Sequence, residues 1–331
     1  MDAVALYELT KVFGQVPALQ RVSLHVPEGM AFACLAARGG GKTTLIRVLS
    51  GLSHPTSGEC TVAGYSPFYE SEKCHLASGT VLESAQLYSE MTLLENLRFH
   101  AGLNGIRENE MNERSSFLLH RLDIWDWRNE KVDDMPTGVL YRASLARALM
   151  HRPKVLLMDE PLEGPDPETA QWITGILGQL RDQEGLTVFL TTERPELAQS
   201  LCSRFGFLDK GVLVANGDFE TLRQKANVRY RAELRLGEGH EGPKGFVQSG
   251  VGLWEKEIVD QEELARIIAH TVGEGTLVYE ARLIRPGLKE VLEAVLMGGI
   301  QREEDEDESG SEENGEAQPA EAGDHSGREE P

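Results

Sequence analysis

A glycine-rich segment carries the clearest chemical pattern in the chain. An apolar run over 30–35 leads into 36–44, Ala-Ala-Arg-Gly-Gly-Gly-Lys-Thr-Thr, and an apolar-periodic stretch over 45–52 follows. Glycines allow successive backbone N–H groups to point at phosphate oxygens, and the start of a helix adds partial positive charge. The spacing is that of GxxxxGK[ST], with Ala36 at the first glycine position. The segment therefore predicts a nucleotide phosphate site between a strand and a helix.

Each residue type in this loop has its own expected role. The Lys42 side chain would reach the β- and γ-phosphates of ATP, and the Thr43 hydroxyl would ligate Mg²⁺. The residues predicted to bind the nucleotide here are Gly39, Gly40, Gly41, Lys42, Thr43 and Thr44. ATP and Mg²⁺ are thus the predicted cofactors.

A second apolar run ends in two carboxylates. The stretch 153–158 is followed by Asp159 and Glu160. In phosphate-loop proteins the first acid of such a strand assists Mg²⁺, and a neighbouring acid can polarise an attacking water. Asp159 is therefore the predicted metal ligand, and Glu160 is the predicted general base.

The whole chain divides into three zones by pattern. Strand-like and helix-like stretches alternate over 1–226, which predicts an α/β domain. A second set of strands and helices over 228–296 predicts a small α+β accessory domain. Residues 301–331 hold thirteen acidic residues against two arginines, a net charge of -11, and are predicted to be a disordered tail.

Charge and hydropathy exclude some classes of function and location. The chain carries a net charge of -21 and no basic zone, so nucleic acid is not an expected partner. It has no 18-residue apolar run, so no helix is expected to span a bilayer. The first residues are acidic where a signal peptide would be basic and then apolar. We therefore expect a cytoplasmic protein.

The phosphate loop, the carboxylate strand and the stretch 145–149 before it resemble the ATP-binding subunit of an ABC transporter. The resemblance covers about 1–226 and implies the ABC type of P-loop NTPase fold, a mixed sheet with a helical subdomain. It also implies that Phe13 stacks on adenine. Residues 285–292, Arg-Pro-Gly-Leu-Lys-Glu-Val-Leu, resemble the Pro-Ser-Leu-Glu-Glu-Val-Phe ending of ATPases that serve ABC-2-type exporters.

This resemblance also implies partners. ATPases of this family pair as dimers, so the chain is expected to form a homodimer or a heterodimer with another ABC ATPase subunit. A membrane-spanning transporter subunit would hold the dimer on the cytosolic face of a membrane. A groove near 88–97 would receive a cytosolic helix of that subunit, unless its leucines simply face the core of the domain.

Several positions depart from the family pattern. The signature Leu-Ser-Gly-Gly-Gln reads Met-Pro-Thr-Gly-Val over 135–139, and of its phosphate-binding residues only Gly138 is kept. Glu83 stands at the lid glutamine and Glu193 at the switch histidine. Each lost stabiliser of transition-state charge typically costs about 10²-fold in rate. The departures predict weak or absent hydrolysis, with the added acids repelling one another around the nucleotide.

Two other interpretations stay open from the sequence. One is an active ABC ATPase that powers export, in which Glu160 serves as general base and Glu83 and Glu193 replace the usual residues. The other is a scaffold or regulatory subunit that no longer binds nucleotide, which Ala36 and Arg38 in the loop would favour.

Overall fold

The computed structural model describes residues 1–82, 87–161, 167–237 and 242–299, apart from the side chains of 167–170 and 299. All of them belong to one unit, Met1–Ile300. The predicted acidic tail over 301–331 lies outside the described residues.

Strands and helices alternate along the chain. In chain order the strands are β1 Asp2–Phe13, β2 Val16–Pro27, β3 Ala31–Leu35, β4 Ser57–Val62, β5 Ser78–Val81, β6 Val155–Asp159, β7 Thr187–Thr192, β8 Arg204–Asp209, β9 Val212–Asp218, β10 Tyr230–Leu236, β11 Val247–Gly250, β12 Leu253–Ile258 and β13 Val278–Ile284. The α-helices are α1 Lys42–Leu49, α2 Ser71–Ala77, α3 Leu93–Leu103, α4 Glu108–Arg121, α5 Thr137–Leu149, α6 Pro167–Glu184, α7 Pro195–Leu201, α8 Phe219–Lys225, α9 Gln261–Gly273 and α10 Leu288–Ala294.

A six-stranded sheet in the order β5-β6-β7-β3-β8-β9 forms the centre of the fold. The first five strands are parallel and β9 is antiparallel to β8, so the sheet is mixed as predicted. β3, β6 and β7 are buried along their whole length, as expected for parallel strands covered on both faces. Their carboxyl ends meet at one edge, where Leu35 pairs with Thr192 and Asp159 pairs with Thr191.

An antiparallel sheet in the order β2-β1-β4 packs with α1 against one face of the central sheet. The other face carries the larger core, to which α3, α4 and α5 contribute. Leu97 is fully buried there, while Leu87 and Leu94 pack against the same core from partly exposed positions. The leucines of the predicted groove therefore face the interior of this chain.

A separate antiparallel sheet, β11-β12-β10-β13, follows in the chain and is covered by α9. α10 comes after this sheet but does not pack on it. Its Leu288 and Val291 are fully buried in the larger core, and the Leu288 N–H donates to Gln199 Oε1 of α7 (2.9 Å). The segment that resembles the exporter ending is thus anchored to the first part of the chain.

Across the described ranges, each helix is either too short or too polar to cross a bilayer.

An ion pair within α8, close to the start of β10, makes a testable contribution to stability. Arg223 at the end of α8 is buried; it pairs with Glu220 and donates to Val228 O (2.6 Å) just before β10. The hydrogen bonds from Arg223 lower the pKa of Glu220 to about 2. The stabilisation is therefore complete above the ordinary glutamate pKa and is lost as pH falls toward 2.

Glu220→Gln should destabilise the protein by about 1 kcal/mol at pH 7, a modest value because the Glu220 side chain is half exposed. The difference from wild type should shrink as pH falls below the ordinary glutamate pKa. Urea unfolding between pH 3 and pH 7 measures this. A difference that is constant across this range would contradict the assignment.

Candidate functional site

The phosphate loop lies between the carboxyl end of β3 and the amino end of α1. Gly41 caps α1 in a left-handed conformation (φ 106°), no side chain caps the helix, and its first turn has no acidic residue. The first N–H groups of a helix have no partner within it, so this end can bind an anion. Ala36 is buried and does not have a positive φ, so alanine fits the first loop position without backbone strain.

Neighbouring strands hold this loop in place. The Gly211 N–H in the β8–β9 turn donates to Gly40 O (3.1 Å), and Gly211 O accepts from the Gln20 N–H of β2 (2.8 Å). Ala18 of β2 also lies against Gly41, so that a methyl group added there would meet Ala18 O at 2.5 Å. The loop backbone is therefore set by contacts from β2 and from the β8–β9 turn.

Lys42 is at the centre of the site and is 6% exposed. Its Nζ donates to Ala36 O (2.8 Å), Ala37 O (3.1 Å) and Glu193 Oε1 (3.0 Å), and lies 3.3 Å from Glu160 Oε1. The Glu193 N–H also donates to Glu160 Oε2 (3.2 Å). The two acids therefore share one cation, and Lys42 offsets part of the repulsion expected between them.

Glu160 follows β6 in a left-handed conformation (φ 45°), which is strained for a residue other than glycine. Its side chain is 13% exposed. Burial raises the pKa of the Glu160 carboxyl, and the charge of Lys42 offsets this only in part. A buried carboxylate with a raised pKa is suited to proton transfer.

Asp159, the last residue of β6, is buried, and its Oδ1 accepts from Thr191 Oγ1 (2.7 Å) on β7. Sequence reasoning missed Thr191 as the group that orients this acid. The sequence does show a threonine near the end of an apolar run at 191. Its contact with Asp159 can be predicted only when β6 and β7 are known to be neighbours.

Two side chains at this site offer the oxygen ligands that Mg²⁺ prefers. Thr43 has an exposed hydroxyl at the start of α1, and Asp159 has a carboxylate at the end of β6. Within the described ranges, no group of three or more His, Cys, Asp or Glu residues could hold a metal. Mg²⁺ would therefore need phosphate oxygens and water as further ligands, which is its usual mode with nucleotides. When bound, the ion would neutralise phosphate charge.

The other predicted site residues have different surroundings. Phe13, at the end of β1, is 51% exposed and so is not a core aromatic; Lys11 Nζ lies 4.8 Å from its ring centroid. Gly138 is in the first turn of α5, which begins after Pro136 and has no side-chain cap. Thr44 is half-buried in α1. Glu83 lies outside the described residues.

Comparison with known proteins shows which family this chain belongs to. The family model for ABC transporters matches residues 19–163. The linearmycin resistance ATP-binding protein LnrL of Bacillus subtilis is 32% identical over 209 residues, which cover 63% of this chain and 67% of that protein. The chain belongs to the ABC transporter ATP-binding proteins.

Another relative of this ABC protein is longer. The probable multidrug ABC transporter ATP-binding protein YbhF of Escherichia coli is 34% identical over 221 residues, which cover 66% of this chain and 38% of that protein. The chain therefore matches well under half the length of that relative.

A solved structure shares the fold. A dimeric post-hydrolysis structure of the ATP-binding cassette MJ0796 with ADP and Pi has a TM-score of 0.61 at 24% identity, covering 65% of this chain and 98% of that chain. The predicted fold class, the ABC type of P-loop NTPase, is confirmed.

Proposed function

We propose that this chain is a nucleotide-binding subunit of an ABC exporter of the ABC-2 type. It binds Mg-ATP at the phosphate loop, forms a dimer, and hydrolyses ATP weakly or not at all. The observation that carries the proposal is the position of Lys42. Its ammonium group lies beside the uncapped start of α1 and within 3.3 Å of Glu160, at the edge where β3, β6 and β7 end.

Two features support weak hydrolysis. Glu193 accepts a hydrogen bond from the Lys42 ammonium group that could otherwise go to a phosphate. Its carboxylate accepts hydrogen bonds at the position where the family has the switch histidine, which donates one. At the start of α5, Pro136 supplies neither a hydroxyl nor a backbone N–H. If the start of α5 faced the γ-phosphate of a nucleotide bound by a dimer partner, it would therefore offer that phosphate neither a hydroxyl nor the Pro136 N–H.

Other features support export and a membrane partner. The relatives include a linearmycin resistance protein and a probable multidrug transporter protein. Near these leucines, Tyr88 and Phe99 are 52% and 39% exposed and pack edge to face at 5.1 Å. Exposed aromatic pairs are common at interfaces between proteins. We propose this pair, which joins the first residue of the predicted groove to Phe99 just beyond its last residue, as a contact for the membrane-spanning subunit.

An active ATPase is the second candidate, because Glu160 is present, partly buried and next to Lys42. Phosphate release by wild type and Glu160→Gln, with Mg-ATP in excess, separates the two functions. For the weak-hydrolysis proposal we expect wild-type release near background and a change of less than about twofold in the variant. Removing the base of an active site would instead lower the rate about 10²-fold or more.

That assay needs the assembled protein as well as the isolated chain. The chain and its variant should therefore be extracted from membranes in mild detergent, and release should be measured on the complex that co-purifies. Brisk release that Glu160→Gln abolishes would establish the active ATPase. Persistent failure to recover a multi-span protein would count against the exporter assignment.

A further inference from the structure

The ammonium group of Lys42 has three protons, and each has an acceptor in the structure. The acceptors are Ala36 O, Ala37 O and Glu193 Oε1, at 2.8, 3.1 and 3.0 Å. Glu160 adds an ion pair at 3.3 Å, although its Oε1 makes no hydrogen bond. Any phosphate oxygen that binds Lys42 must therefore displace one of the three acceptors.

These acceptors differ in how easily they can leave. Two are main-chain carbonyls of the loop itself. The Ala36 N–H donates to Thr192 O of β7 (3.4 Å), and Ala37 O also accepts from the Gly40 N–H (3.0 Å), so both residues are fixed by backbone hydrogen bonds. Glu193 is the third, and its side chain is 40% exposed on the segment before α7. A phosphate therefore competes with Glu193 for the Lys42 ammonium group. The Glu160 side chain, which is 13% exposed, stays beside Lys42.

The phosphates of a nucleotide depend on Lys42 to different degrees. Backbone N–H groups of a phosphate loop bind the α- and β-phosphates, and the lysine reaches the β- and γ-phosphates. Without Lys42 the β-phosphate still has the loop N–H groups, whereas the γ-phosphate does not. The γ-phosphate also adds negative charge next to two carboxylates. Glu193 should therefore penalise a triphosphate more than a diphosphate.

We propose that Glu193 is a specificity-determining residue that makes this site prefer nucleoside diphosphates to triphosphates, by holding the Lys42 proton that a third phosphate requires. The inference rests on the proposed nucleotide-binding function, because it ranks two ligands of that site. In this view the chain remains largely in a diphosphate-bound state unless ATP is in excess.

The test is isothermal titration calorimetry of the full chain with ADP and with ATP, each with excess Mg²⁺. Glu193→Gln keeps the shape of the side chain but removes its charge. It should raise ATP affinity by about tenfold and ADP affinity by no more than about threefold. Glu196→Gln removes a charge from an exposed residue in the first turn of α7 and is the matched control, expected to change neither affinity.

Three outcomes are informative. A wild type that binds ADP more tightly than ATP, with that preference reduced in Glu193→Gln alone, supports the inference. Binding of both nucleotides with the same affinity ratio in wild type and Glu193→Gln overturns it and leaves the proposed function intact. If folded wild type and variant bind neither nucleotide, the proposed function fails and the inference fails with it.

Discussion

Lys42→Ala should reduce nucleotide affinity by about 100-fold or more. The ammonium group is buried beside the uncapped end of α1, and removal of a buried charged partner costs about 3 kcal/mol. The thermal shift that Mg-ADP or Mg-ATP produces in wild type should disappear in the variant. Because ligand stabilisation follows affinity, a shift measured over a range of nucleotide concentrations gives the size of the loss.

The same substitution leaves Glu160 without its cation, so the unliganded variant should also melt at a lower temperature. Circular dichroism before titration shows whether the variant is folded. Lys73→Ala removes the same charge from α2, where Lys73 is 63% exposed and pairs with Glu70, and should keep the full nucleotide shift. A folded Lys42→Ala protein with wild-type affinity would refute the assignment of the phosphate site.

Gly41→Ala should destabilise the protein by about 4 kcal/mol and disrupt the phosphate site as well. Gly41 has φ 106°, where an alanine is strained, and its new methyl would lie 2.5 Å from Ala18 O. Because that oxygen belongs to the backbone of β2, a strand or the loop must move. Chemical denaturation measures the loss of stability, and nucleotide titration of the folded fraction measures the loss of binding.

Gly39→Ala is the matched control for this prediction. Gly39 also has a left-handed conformation (φ 80°), but a methyl there meets no atom within 4 Å. Gly39→Ala should lower the free energy of unfolding only by the conformational strain of alanine in a left-handed conformation, about 1 kcal/mol. Equal losses in the two variants would mean that the contact with Ala18 does not fix the loop.

The sequence alone was sufficient for features that depend on contiguous residues. The strand, loop and helix around 36–44 were predicted within a few residues of their observed bounds, since α1 begins at Lys42 and β3 ends at Leu35. Asp159 was likewise correctly placed at the end of a buried strand. Local spacing determines these features because backbone dihedrals and hydrophobic periodicity act over a few residues.

Local patterns were less decisive where a turn interrupts a run. Within the predicted accessory domain over 228–296, residues 246–259 form β11 and β12 with a turn between them. Gly252 has φ 68°, which reverses the chain there. The glycine was visible, but its conformation depends on the pairing of both strands with their neighbours.

Only the tertiary structure decided how charge is balanced at the site. The sequence placed Glu160 and Glu193 as like charges near a nucleotide, but Lys42, 151 positions before Glu193, pairs with both of them. Thr191 meets Asp159 for a similar reason, since β6 and β7 are adjacent in register. Such contacts join distant positions through strand order, and strand order follows from the packing of the whole sheet and not from local spacing.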